Sequence, residues 1–230
     1  MIALRLIKFL DKRLGIRNRL KCLPPSGFDT AGEKLLDWGW CLANLPQSPR
    51  QRVLDIGCCQ APIVPTVVAL GHEVVGVDTD RLPYQLPGLT FFFGDFLEID
   101  FPDASFDVVV LCSVVEHIGL AGRYAQRNIP DGDFLAMKKV AQILKPDGRV
   151  LLTVPVGKDL IFKPWHRIYG EERLPALIAE FQVERSQYLV KERGEVWKVS
   201  EQTAALHVDR QGLGYGLAQF VLKKVSEPYY

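Results

Sequence analysis

Nowhere among the 230 residues do eighteen apolar residues run together, so no transmembrane helix is expected. The amino terminus, MIALRLIKFLDKRLGIRNRL, is broken by charges every few residues. It lacks the apolar core and small-residue cleavage site of a secretory signal, and a cytoplasmic location is the expectation that follows. The five cysteines, at 22, 41, 58, 59 and 112, form no CxxC and no metal-ligand spacing. They are expected as reduced thiols, with a redox role for the adjacent Cys58–Cys59 pair as the alternative. No HExxH or carboxylate cluster with metal spacing occurs, so no catalytic metal is expected. Internal repeats and low-complexity segments are also missing.

What is present is unevenly charged. The net charge is +1, yet residues 1–21 hold seven basic side chains against one acid, Asp11. The remainder holds 21 basic and 26 acidic residues, about −5. An acidic body lacks the basic face that phosphates require, which argues against a nucleic-acid substrate. In the basic segment Ala3, Leu6, Ile7, Leu10 and Leu14 recur at helical spacing, and Pro24, Pro25 and Gly27 end it. The expected organisation is an amphipathic helix and linker over residues 1–27 and one domain over 28–230. Residues 2–20 are suited to lie at an anionic membrane surface, at the inner face, or to dock on protein.

Thr30 and Glu33 form a capping box for a helix running to about Asn44. Then the period changes. Arg52–Gly57, His72–Asp78, Leu89–Asp95, Phe106–Cys112 and Arg149–Pro155 are short β-branched or aromatic runs, apolar throughout, as strands buried on both faces must be. The Phe91-Phe92-Phe93 run is read as buried strand. Helices are expected at Ala61–Leu70, Gly132–Lys145 and Gly170–Glu180, and two further strands at Phe181–Val190 and Leu217–Val225. The fold class is therefore α/β: a Rossmann-like, doubly wound, mostly parallel sheet of about seven strands with helices on both faces.

Ligands bind such sheets beyond the carboxyl ends of the strands, where strand order reverses. Asp55, Asp78 and Asp95 lie there, and Asp78 follows Gly57 by 21 residues, the spacing of an acid that accepts from both ribose hydroxyls. The turn Gly57-Cys58-Cys59-Gln60-Ala61-Pro62 has one glycine, whereas a pyrophosphate-binding turn uses three. A ligand without phosphates fits better than NAD. The alternative is that these acids only cap loop starts.

VLDIGCCQAP resembles the first signature of the class I S-adenosylmethionine-dependent methyltransferases, and VVGVD the next. GDFLEIDFPDASFDVVVLCSVVEHIG is similar to their third-to-fourth-strand segment, and LKPDGRVLLTVPVG to the approach to the fifth. The resemblance covers residues 50–157. It implies S-adenosylmethionine as cofactor, with Asp55 and Gly57 lining its methionine part, Asp78 holding the ribose, Asp95 and the backbone of Phe96 facing the adenine, and Ser113 near both donor and acceptor. The family commonly has further glycines where Cys59 and Ala61 stand.

A hydroxyl acceptor needs a base. Two loops supply candidates: Glu116-His117 with Arg123, Tyr124 and Arg127, and KPWHRIYGEER with His166, Arg167, Tyr169 and Arg173. His166 is preferred to His117, each with a packing or pairing role as its alternative, and Arg173 is read as pairing near Glu171 and Glu172 on a solvated helix face. The second loop is similar to one in a bacterial subgroup modifying glycans or small metabolites. The expectation is O-methylation of a sugar, glycan precursor or other small molecule. The rivals are a non-catalytic S-adenosylmethionine-binding regulatory protein and an NAD-dependent oxidoreductase. Oligomeric state is not legible.

Overall fold

Apolar runs of five to seven residues, separated by helical segments, give a chain that winds its sheet outward in two directions from the middle. The computed structural model describes residues 33–224 apart from 49, 123, 125, 126, 192–195 and 210–214. The amphipathic segment 2–20 and Thr30 lie outside the described residues. The described elements belong to a compact unit, Glu33–Tyr230.

Helix α1 (Lys34–Ala43) opens without a side-chain cap from Glu33 and ends at Asn44, whose side chain donates to the Trp40 carbonyl. Strand β1 (Arg52–Ile56) follows, then a 3-10 turn (Cys58–Gln60), α2 (Ile63–Ala69), β2 (Glu73–Asp78), β3 (Leu89–Phe93) and β4 (Phe106–Cys112). A second 3-10 turn (Val115–His117) precedes α3 (Gly132–Ile143) and the long β5 (Leu144–Val156). Next come a two-stranded ribbon of β6 (Leu160–Phe162) and β7 (His166–Ile168), α4 (Arg173–Leu177), β8 (Phe181–Lys191), β9 (Trp197–Ser200), α5 (Gln202–Leu206) and β10 (Gly216–Lys224).

The main sheet has eight strands in the order β3-β2-β1-β4-β5-β10-β8-β9, one more than the sequence suggests. Strands β3 to β5 are mutually parallel, whereas β10 runs antiparallel to both neighbours. The extra strand is β9, which pairs with β8 at the far edge. Helices cover both faces. Leu54, Ile56, Val109 and Leu111 pack with α3, α4 and α5 residues such as Met137, Leu177 and Leu206. Val53, Val74, Val108 and Val110 pack with Cys41 of α1 and Val64 and Val67 of α2. Alternate strand residues thus face opposite layers, and both are apolar; each such side chain contributes roughly 1.5–3 kcal/mol on burial.

Two expectations are corrected. Phe92 and Phe93 are 39% and 54% exposed, because β3 is an edge strand that no helix among the described residues covers at that point. Arg173 does not pair on a solvated face: its guanidinium meets buried Asp133 at 2.8 Å. That aspartate also faces fully buried Arg167 at 3.5 Å and accepts from the Tyr169 hydroxyl. Arg167 in turn donates to the carbonyls of Ile118 and Pro130, so β7 ties down both ends of the loop between the second 3-10 turn and α3.

Candidate functional site

Strand order reverses between β1 and β4, and a cavity of about 290 Å³ opens there at the carboxyl ends of β1, β2 and β4. Gly57 begins the turn out of β1 at φ +78°, a left-handed conformation that glycine adopts without strain. A Cβ there would lie 2.7 Å from Val114 Cγ2, so only glycine lets the turn close against the β4 loop. Asp78, ending β2, lines the same cavity. Its two carboxylate oxygens accept the backbone N–H groups of Cys59 (2.7 Å) and Asp80 (2.8 Å), which fixes its orientation.

Ile56, Val77, Phe96 and Ile118 give this cavity apolar walls. Phe96 is held from below: Lys139 Nζ donates to the carbonyls of Phe96, Leu97 and Ile99 at 2.8, 3.3 and 2.6 Å. Ser113 follows β4 with φ +52°, a strained conformation for a residue with a side chain. Its hydroxyl donates to Asp37 of α1, and its N–H contacts Thr153 of β5. Burial pushes the Asp37 carboxyl up to about 6, despite hydrogen bonds from Ser113 and Gln219 that favour ionisation.

Lys34, Trp38, His117 and Tyr124 also line the cavity. His117 Nδ1 lies 2.6 Å from the carbonyl oxygen of Trp165. A carbonyl only accepts, so Nδ1 carries the proton and Nε2 is the ring's acceptor nitrogen. Glu116 Oε1 is 3.5 Å from that Nε2. Burial pushes the Glu116 carboxyl up to about 8, with Lys34 opposing and Asp37 and Glu33 adding to the rise.

The structure therefore brings Gly57, Asp78, Phe96, Ser113 and His117 to one cavity. Asp55 is buried, 1% exposed, and off the cavity wall. Asp95 lines an adjoining depression with Thr79, Glu98 and Arg127. His166 is also off the wall: its ring packs 5.5 Å from Tyr215 and 5.8 Å from Phe162, behind His117 at 6.4 Å. Lys34, Trp38 and Asp37 were not singled out from sequence. They sit on a helix before the first strand, and nothing in its periodicity says which turn overhangs the sheet.

The fold superposes on solved methyltransferases. The Burkholderia thailandensis 1,6-didemethyltoxoflavin-N1-methyltransferase, solved with its acceptor and S-adenosylhomocysteine, aligns with TM-score 0.59 over 98% of this chain and 89% of that one, at 18% identity. The N-methyltransferase NodS of Bradyrhizobium japonicum, with S-adenosylhomocysteine, aligns with TM-score 0.58 over 84% and 88%, at 11% identity. Among sequence relatives, a Mycobacterium tuberculosis protein named "Probable S-adenosylmethionine-dependent methyltransferase" is 23% identical over 147 residues. The match spans 59% of this chain and 49% of that protein. A Mycolicibacterium smegmatis relative, similarly named, is 26% identical over 50% and 44%. The chain spans about half the length of the curated relatives it matches. Fold and relatives are those of the class I S-adenosylmethionine-dependent methyltransferases. The chain belongs to the family described as "Caenorhabditis protein of unknown function, DUF268", whose model matches residues 98–224.

Proposed function

We propose that the protein transfers a methyl group from S-adenosylmethionine to a hydroxyl of a small molecule, a sugar, glycan precursor or similar metabolite. The observation behind this reading is that one cavity is lined by Gly57 and Asp78 and also by His117. The residues fit the donor: a glycine turn closed against β4, a carboxylate oriented by two N–H groups, and an apolar wall at Phe96. When bound, S-adenosylmethionine supplies an electrophilic methyl group on a sulfonium. Asp78 would take the ribose hydroxyls, and Phe96, held by Lys139, the adenine.

At the acceptor end, Trp38 and Tyr124 offer aromatic faces to a sugar ring, and Lys34 offers a cation to an anionic substituent. Orientation of nucleophile and methyl in line accounts for much of the acceleration in such a transfer. His117, its tautomer set by the Trp165 carbonyl, would take the hydroxyl proton at Nε2, beside the Glu116 carboxyl. This assigns the base to His117 rather than His166. The test is incubation of the protein with methyl-labelled donor and a panel of sugars, glycan precursors and phenolic metabolites. Label in an O-methyl product supports the reading. Tight S-adenosylhomocysteine binding with no label in any acceptor would favour a regulatory donor-binding protein.

A further inference from the structure

Next to Gly57, but off the cavity wall, lies chemistry that methyl transfer does not use. Cys58 and Cys59 both follow Gly57 in the 3-10 turn, and their sulfurs and a carboxylate oxygen of Asp78 all lie within 4.8 Å of one another. Cys58 Sγ is buried against β2, where Gly76 leaves it room: a Cβ on Gly76 would stand 2.8 Å from that sulfur. Cys59 is half-buried, and its Sγ lies 3.3 Å from the carbonyl oxygen of Asp80.

A buried acid precedes the turn. Asp55 is 1% exposed, and among the described residues its Oδ2 has no hydrogen-bond partner. Its ionisation is opposed first by burial and then by the charge of Asp78. Two thiols and the Asp78 carboxylate thus stand together, and among the described residues the partners of Asp78 are backbone N–H groups rather than a basic side chain.

We propose that Cys58, Cys59 and Asp78 form a binding site for a thiophilic divalent cation of the zinc class, and that its occupancy excludes the methyl donor. Two sulfur ligands select a borderline or soft ion over calcium or magnesium. In a tetrahedral zinc shell the ligand atoms stand roughly 3.3–3.8 Å apart, so these three, within 4.8 Å of one another, close up by at most about 1–1.5 Å through side-chain rotation. The Asp80 carbonyl or solvent takes the fourth position. Each thiol releases its proton to solvent as its sulfur lone pair binds the ion, with no change of oxidation state. Bridging the two sulfurs as a disulfide would instead strain the single peptide between adjacent residues. Exclusion of the donor rests on Asp78 being the ribose acid; binding of the ion does not.

The test titrates the reduced full-length protein with cadmium, following the thiolate-to-cadmium absorbance, and repeats it with zinc as competitor. One cadmium per chain is expected, displaced by zinc. A ligand should matter at least as much as the partners that support ligands, so Cys59→Ser and Asp78→Asn should weaken binding about tenfold or more. Cys58→Ala, which suits the apolar surroundings of that thiol, should do the same, whereas Cys22→Ser should leave the signal intact. Circular dichroism establishes that each variant is folded. An absorbance that survives in folded Cys58→Ala and Cys59→Ser, or that is absent from wild type, overturns the site. Saturating S-adenosylhomocysteine should raise the cadmium concentration needed. Simultaneous binding of both overturns the exclusion, and failure of S-adenosylhomocysteine to bind overturns the donor reading while the cadmium titration still decides the ion site.

Discussion

Asp78 Oδ2 accepts the backbone N–H of Cys59 at 2.7 Å, so the acid ending β2 and the turn leaving β1 are a single hydrogen-bonded unit. Removing the carboxylate frees the turn and, in the proposed donor pose, the ribose. Asp78→Ala should weaken S-adenosylhomocysteine binding by about 1.5–3 kcal/mol, the range for hydrogen bonds to a charged group. Calorimetry on both proteins measures it. Equal affinities would take Asp78 out of the donor site.

His117→Ala removes the imidazole whose Nδ1 proton is held by Trp165. Turnover on the true acceptor should fall about 100-fold or more, with donor affinity unchanged. His166→Ala should act chiefly on stability, since that ring packs among Phe162, Tyr215 and His117 rather than on the cavity wall. A His117 variant with near-normal kcat would leave orientation alone as the source of rate.

The carboxyl of Glu116 is raised by burial from 4.5 to about 8. The folded protein therefore holds this proton more tightly than the unfolded chain does. That contribution to stability is complete below about pH 4.5 and is lost as pH rises to about 8, at no more than about 1.4 kcal/mol per pH unit. Asp37 and Asp55, raised to about 6 and about 8, work in the same direction. Melting curves without donor at pH 5 and pH 8 should show a smaller loss for Glu116→Gln than for wild type. Identical losses would mean that Glu116 is ionised in the folded protein.

Arg167 is fully buried, with carbonyl partners at Ile118 (2.7 Å) and Pro130 (3.0 Å). Arg167→Met should cost about 3–5 kcal/mol, as when one member of a buried charge network is removed. Because Arg173 remains on Asp133, the loss should concentrate in residues 118–132, read as faster amide exchange there. A shift below about 1 kcal/mol would show that the loop is held by apolar contacts alone.

Sequence made the parallel half of the sheet legible because strands buried on both faces read as unbroken apolar runs, and β4 appears at its expected bounds, Phe106–Cys112. Gly57 and Asp78 were legible because one turn and one strand fix their separation. What stayed hidden depends on neighbours distant in the chain. Phe92 and Phe93 look like core until strand order makes β3 an edge. Arg167 and Asp133 are 34 positions apart, and no local period relates them. The choice between His117 and His166 turned on which loop overhangs the cavity, which hydrophobic spacing does not encode. Strand β9, four residues with Val199 72% exposed, leaves too little buried pattern to read.

The position of β10 has a consequence for how the chain is made. Strands β1 to β5 can assemble as soon as they leave the ribosome, since each finds a partner already synthesised. Strands β8 and β9 cannot join them, because β10 must slot between β5 and β8. Until residues 216–224 emerge, the outer edge of β5 stands unpaired with its row of free N–H and C=O groups. That edge is where a nascent chain is exposed to pairing with a second copy, and arrival of β10 closes it.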